Sequence, residues 1–565
     1  MLKFTEIPYE QPNLENMTAE FETLLVQFQQ AASFDSQKAI LEKINSIRSE
    51  FETQASLVYI RHTIDTTDKF YEEQQQYFDK NSPVFVGLIT KLYEALTQSK
   101  FRNELEAVAG NQLFNLADAA LRTFQPEIIE DLQKENQLSS DYTRLIASAK
   151  IEFEGAELNL SGLIPFEQST DREVRKKATS AKYGYLAANA EKLDSIYDSL
   201  VKTRTTIAKK LGYKNFVGLA YDRLSRTDYN AEMVANYRKM ILDHVVPVAT
   251  KMREKQAKRL GLEKLKSYDE PLLFTNGNAK PKGSPKWILN NGKKMYAELS
   301  AETNDFFSFM TEFELLDLVN KKGKAGGGYC SFLSKYKAPF IFSNFNGTSG
   351  DIDVLTHEAG HAFQGYSSRN FEIPEYHWPT MEACEIHSMS MEFFTWPWMN
   401  LFFEEQTDKY KYAHLGSAIL FLPYGVSVDE FQHWVYENPD ATPQERNAQW
   451  RSIEKKYLPH RDYDGNAYLE GGAFWQKQAH IYNSPFYYID YTLAQVCALQ
   501  FWSRTQQKDA TAWSDYLTLC KAGGSQSFLG LVKLANLKSP FEQGTVENVM
   551  KEVAAWIENI DDSKL

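Results

Sequence analysis

The segment Thr356-His357-Glu358-Ala359-Gly360-His361 sets two imidazoles four residues apart, with a carboxylate directly after the first. On a helix, residues four apart lie on one face, so His357 and His361 can aim at one metal ion. Glu358, turned by about 100°, then reaches water activated at that ion. Metal-assisted hydrolysis requires this arrangement. A pattern this short also arises by chance on an ordinary helix with two surface histidines, so its setting counts. A strand-like run and a helix start at Ser349-Gly350-Asp351 precede it, as they would for a catalytic helix under a cleft.

A catalytic zinc takes three protein ligands and keeps one position open for water. One common continuation of this motif puts Gly and His three and six residues after His361, but Gln364 and Ser367 stand there. Another places a glutamate about nineteen or twenty residues after the second histidine. Thr380 and Met381 occupy those positions, with Glu382 a near miss. The run from Glu382 to Glu392 reads as helix and offers carboxylates at 382, 385 and 392. Glu385 is the preferred third ligand, with Glu382, His377 and His387 as rivals that spacing leaves open. Two neutral imidazoles and one carboxylate would leave the metal net positive, and so a strong Lewis acid. Glu392, two turns beyond Glu385, suits an acceptor for the other ring nitrogen of His357, or equally a surface salt bridge.

The elements that must hold these residues are mostly helical. Phe21, Leu24, Leu25 and Phe28 recur at helical spacing, as do Ile40, Ile44, Ile47 and Phe51. A break at residues 151–160, centred on Glu154-Gly155-Ala156-Glu157, reads as a hairpin. The stripe Leu193, Ile196, Leu200, Ile207 and Leu211 then ends at Gly212, where a helix cap belongs. Residues 275–285, rich in Gly and Pro, predict a surface loop or a junction between lobes. The glycine-rich turn of residues 321–330 and the β-type run Pro339 to Phe345 predict a small sheet beside the helices.

Composition narrows the function. Over 565 residues, 62 Lys+Arg against 75 Asp+Glu leave a net charge of −13, which disfavours a nucleic-acid partner. The N-terminus has no apolar secretory run, and the apolar stretch Leu415 to Val428 is interrupted by Pro423 and Gly425. It falls short of the roughly 20 residues that cross a bilayer, so no membrane span is expected. Cys330, Cys384, Cys497 and Cys520 are widely spaced, which suggests neither a disulfide framework nor a thiolate metal site. A cytoplasmic location is the simplest expectation.

Four separated segments carry a resemblance to a known family. They are Lys210 to Phe216, Gly326 to Cys330, Phe340 to His361 with its Asn344-Phe345-Asn346-Gly347-Thr348 lead-in, and His480 to Tyr491. Together they resemble the thimet-oligopeptidase and oligoendopeptidase F family of zinc metallopeptidases, with bacterial oligoendopeptidases and Pz-peptidases nearest in character. The resemblance implies Zn2+ held by His357, His361 and Glu385, with Glu358 as general base. It brings the family's late histidine and tyrosines onto His480, Tyr488 and Tyr491, with Tyr487 as the alternative one residue away. A phenol beside the metal suits an oxyanion that forms only as the peptide carbonyl is attacked.

The implied fold is mainly α. It is a two-lobed helical ellipsoid with a deep substrate channel and a small sheet near the HExxH helix. Residues 1–150 would form an N-terminal helical region and 151–565 the catalytic region, both lobes shaping one channel. The expected activity is cleavage of internal bonds in short unstructured peptides. Such peptides would lie along an exposed edge at Phe340 to Phe345, touching Phe342, Asn344, the Gly327 loop and Tyr487. A zinc hydrolase of another bond, or a non-catalytic peptide binder, is the alternative. The latter should lack Glu358 or a ligand, and none is missing.

Overall fold

Helical spacing of apolar residues accounts for most of the chain before any long-range contact. The computed structural model describes the backbone of residues 1–565 and every side chain except that of Ser563. Helix α1 (Leu14–Gln30) buries Phe21, Leu24, Leu25 and Phe28, and Asn13 caps it by accepting from the Asn16 N–H at 3.0 Å. In α2 (Phe34–Ile64), Ile44 and Phe51 are buried while Ile40 and Ile47 are half-buried. With α3 (Lys69–Thr97) these helices close over a core of their own, in which Phe51 stacks on Phe85 with ring centroids 3.9 Å apart. The larger core is built mainly from later parts of the chain.

Strands β1 (Ile151–Phe153) and β2 (Ala156–Leu158) form the antiparallel hairpin, turned through Glu154 and Gly155 at φ +49° and +80°. Helix α4 (Ala190–Lys210) buries Leu193, Leu200 and Ile207 and stops just before Gly212. The second sheet holds β3 (Leu316–Val319), β4 (Tyr329–Leu333) and β5 (Ala338–Phe345) in the order β3-β5-β4. Strand β5 is parallel to β3 and antiparallel to β4. The run Phe340 to Phe345 is therefore the middle of the sheet, not the exposed edge that the sequence suggested. Its apolar residues are buried with no alternation, as in a strand covered on both faces. The edges belong to β3 and β4.

Helix α5 (Gly350–Ser368) packs on this sheet and against α6 (Met381–Phe394), which packs in turn on α8 (Tyr488–Gln506), beside α7 (Thr407–Glu437). Helix α7 runs straight through Pro423, which interrupts apolar composition but not the helix. Helix α5 carries the HExxH motif and crosses α6 at Gly360. A Cβ there would sit 2.6 Å from the His387 carbonyl oxygen and 2.6 Å from Ser388 Cα, so only glycine permits this approach. Among the described residues, no helix is long and apolar enough to cross a membrane.

Candidate metal centre

The turn from β5 into α5 is fixed by Asp351, whose carboxylate accepts from the Asn346 and Gly347 N–H groups at 2.8 and 2.9 Å. That anchor sets the phase of α5, and His357 and His361 project from one side, their ring centroids 5.0 Å apart. The close crossing at Gly360 then brings Glu385 of α6 against them. Glu385 Oε2 lies 3.2 Å from His357 Nε2 and 3.3 Å from His361 Nε2. Donors bound tetrahedrally to zinc at about 2.0–2.1 Å stand about 3.3–3.4 Å from one another, so these three residues fit a zinc ion. Burial would raise the Glu385 carboxyl, but His361 and His357 hold it well below the usual range, and it is an anion.

Partners behind the donors fix their orientation. His357 Nδ1 donates to Glu392 Oε1 at 2.7 Å, which leaves Nε2 free for a metal. Glu392 Oε2 accepts from His414 Nε2 at 2.7 Å, and the Trp396 indole N–H donates to His414 Nδ1 at 3.1 Å. Ser388 Oγ donates to Glu385 Oε2 at 2.8 Å, and the Tyr487 hydroxyl donates to Glu385 Oε1. Glu358 differs: its Oε2 is buried with no hydrogen-bond partner. Burial lifts its carboxyl above the usual range against the pull of His357 and His361. Gly328 leaves room for it, since a Cβ there would come 3.1 Å from Glu358 Oε1.

A chain of hydrogen bonds orients the tyrosine beside this carboxylate. The Tyr424 hydroxyl donates to Gln478 Oε1 at 2.8 Å, which turns the amide nitrogen toward His480 Nδ1, also at 2.8 Å. The His480 proton is then on Nε2, facing the Tyr491 oxygen at 3.1 Å. Burial lowers the His480 pKa to about 4, so the ring is neutral. Tyr491 can thus accept from His480 and keep its own O–H for another oxygen. Burial, with Glu385 nearby, holds its phenol well above the usual range.

A cavity of about 590 Å³ lies beside the site: Gly328, which packs against Glu358, and His414, which backs Glu392, line it, while the three donors themselves do not. It is lined by Gly327, Gly328 and Asn344 on one side and by α7 from Tyr410 to Tyr424 on another.

Two family descriptions match this chain: the peptidase M3 N-terminal domain over residues 4–124, and peptidase family M3 over residues 166–282 and 289–551. The chain belongs to peptidase family M3. A solved structure of Pz peptidase A with inhibitor 2 is 59% identical with a TM-score of 0.98, covering 99% of this chain and 100% of that one. The oligoendopeptidase F homolog of Borreliella burgdorferi is 24% identical over 460 residues, 76% of this chain and 74% of that protein. The group B oligopeptidase PepB of Streptococcus agalactiae is 23% identical over 548 residues, 89% of this chain and 86% of that protein.

Within this M3 peptidase, His357, His361 and Glu385 come together, and the rivals do not join them. Glu382 is buried one turn away near Asp490 and Arg226, the His377 ring faces the Phe371 carbonyl, and the His387 ring faces that of Ala383. Two expectations need correction. Tyr487, not Tyr488, reaches the metal-site carboxylate, because Tyr487 and Tyr491 are four apart and share a helix face, with rings 4.8 Å apart. Tyr488 points instead among the rings of Phe421, Tyr424 and His480. The Phe342 side chain is fully buried, stacked on Tyr329 at 4.6 Å, and offers a substrate nothing but backbone. Asn344 holds the glycine loop, donating to the Ala325 and Gly327 carbonyls at 2.9 and 2.7 Å.

The sequence reading missed His414, Gln478, Tyr424 and Arg226. Arg226 donates to the Phe486 carbonyl at 2.7 Å and to Asp490 at 2.6 Å, pinning the turn that leads into α8. Only the i, i+4 spacing of Tyr487 and Tyr491 was available in sequence as a signal for this arrangement.

Proposed function

We propose that this M3 peptidase is a zinc metalloendopeptidase that cuts internal bonds of short, unstructured peptides. The observation that carries the proposal is the set of donor distances of 3.2 and 3.3 Å joining His357, His361 and Glu385, beside an unpartnered Glu358 carboxylate. Zinc held by these three residues would supply Lewis acidity toward water and the scissile carbonyl. Glu358 takes the proton from the attacking water and passes it to the leaving amine. Its raised pKa, from burial, makes it the better base for the first of these transfers. Tyr491 donates its O–H to the developing oxyanion while His480 orients it from behind. Tyr487 steadies Glu385 as a ligand.

A cavity of about 590 Å³ suits an extended peptide and excludes a folded domain. A division near residue 150, both parts shaping one channel, and a cytoplasmic location belong to the same proposal. The test is cleavage of an unstructured oligopeptide and of the same sequence embedded in a stable folded protein. The free peptide should be cut internally, with activity abolished by chelation and restored by zinc. Efficient digestion of the folded host, or release of single N-terminal residues only, would overturn the proposal.

A further inference from the structure

The cavity changes character along its length. Helix α7 lines it from His414, which is bonded to Glu392 behind the metal ligands, to Tyr424. Those positions are ten residues apart, or about 15 Å of helix. Near His414 the wall carries the carboxylates Asp351 and Asp353. Near Tyr424 it carries Arg253, Arg461 and Lys477, with Glu270 as the single acid among the lining residues there.

Glu270 is already shared. Arg461 reaches its carboxylate at 2.8 Å and Arg253 at 3.6 Å. Lys477 has no such partner: among the described residues, no carboxylate oxygen lies within 4.0 Å of its ammonium, which rests over the rings of Phe474 at 4.0 Å and Tyr424 at 5.7 Å. The Arg461 guanidinium stands over the same Phe474 ring at 4.6 Å. A partly buried ammonium beside a second cation, without an anion, is costly, and a carboxylate ligand would remove that cost. Burial and the like charges of Lys182 and Arg461, opposed by Glu167 and Glu270, bring the Lys477 pKa down to about 7. A bound anion would restore its charge.

We propose that Lys477, backed by Arg461, is a carboxylate-binding subsite that anchors the peptide substrate at the Tyr424 end of the cavity. The inference rests on the peptidase reading above. The carboxylate can be the free C-terminus of the peptide or an Asp or Glu side chain, and these two sources are separable.

The test uses internally quenched peptides of five to nine residues, each made as the free acid and as the C-terminal amide. A second series carries Glu or Gln at each successive position of an amidated peptide. Wild-type enzyme should favour the charged member of one of these pairs by at least about tenfold in kcat/KM, the low end for a hydrogen bond to a charged group. The preference should appear mainly in KM. It should fall toward unity in Lys477→Met and survive in Lys477→Arg, with zinc content at the wild-type level in both. A preference in the acid and amide pairs assigns the C-terminus, and one in the Glu and Gln pairs assigns a side chain. Equal kcat/KM throughout both series, or a preference undiminished in Lys477→Met, would overturn the subsite while leaving the peptidase intact. If no peptide in either series is cut, the peptidase reading fails and the subsite falls with it.

Discussion

The helix pair that carries the metal donors and the segment that carries the tyrosines meet at one point, yet different forces position them. Helices α5 and α6 are placed by regular periodicity and by one backbone contact, where Gly360 lets α5 approach the main chain of His387 and Ser388. Helical spacing aligns His357 with His361, and the crossing delivers Glu385. The tyrosine segment instead hangs from an irregular turn. Phe486 sits there at φ +67°, a conformation unusual for a bulky residue, and is held by Arg226 on its carbonyl and by Gln432 on its N–H at 2.9 Å. A helix crossing governs where the three donors converge, whereas a buried clamp governs which phenol faces them.

If that contrast is right, substitutions on the two sides should fail differently. Tyr491→Phe should retain zinc and lower kcat by on the order of 10²-fold, since it removes an oxyanion donor and no ligand. Measured zinc content alongside single-turnover rates checks this. Tyr487→Phe should act on the metal, weakening zinc affinity by about 10–100-fold as the loss of a ligand's hydrogen-bond partner does, which competition with a chelator would read. Should Tyr487→Phe leave zinc affinity untouched and cut kcat alone, the roles given to the two tyrosines would need exchanging.

Gly360→Ala tests the crossing itself. Its new methyl meets backbone, not a flexible side chain, so it should destabilise the fold by about 1–3 kcal/mol in denaturant unfolding and displace Glu385. The smallest effect belongs to Tyr488→Phe. Its hydroxyl has no hydrogen-bond partner among the described residues and its ring packs on Phe421 and Tyr424, so kcat and zinc content should both stay within about threefold of wild type, the range of a surface-like change of about 0.5 kcal/mol. A hundredfold loss there would restore Tyr488 to the reacting centre.

The same contrast explains what was legible in the sequence. The HExxH pair and the helix bearing Glu385 follow from local spacing, and the motif needs nothing from afar to be read, whereas spacing left Glu392 equally a surface acid and only the helix crossing sets it on His357. Helices α1 and α4 were equally plain, because their buried residues repeat at one period. The centre-strand position of β5 was not, since an apolar run pairs equally well on one side or two and only β3 and β4, brought from elsewhere, decide. The choice between Tyr487 and Tyr488 turned on the phase of α8. That phase is set by Arg226, more than 250 residues away in the chain, and by a positive φ at Phe486 that no pattern announces. Lys477 was invisible for the same reason: only the fold leaves it without an acid.

The most direct test of the central claim compares Glu358→Gln with Glu385→Ala in one preparation of each, measuring zinc per chain and turnover of an unstructured peptide. Glu358→Gln keeps the size and the hydrogen-bonding capacity of the base but not its basicity. It should hold one zinc per chain, bind peptide nearly as wild type does, and lose at least about 10²-fold in kcat. Glu385→Ala should instead hold less than one zinc per chain and lose activity in proportion. Wild-type turnover by Glu358→Gln with zinc in place, or full zinc occupancy in Glu385→Ala, would contradict the account.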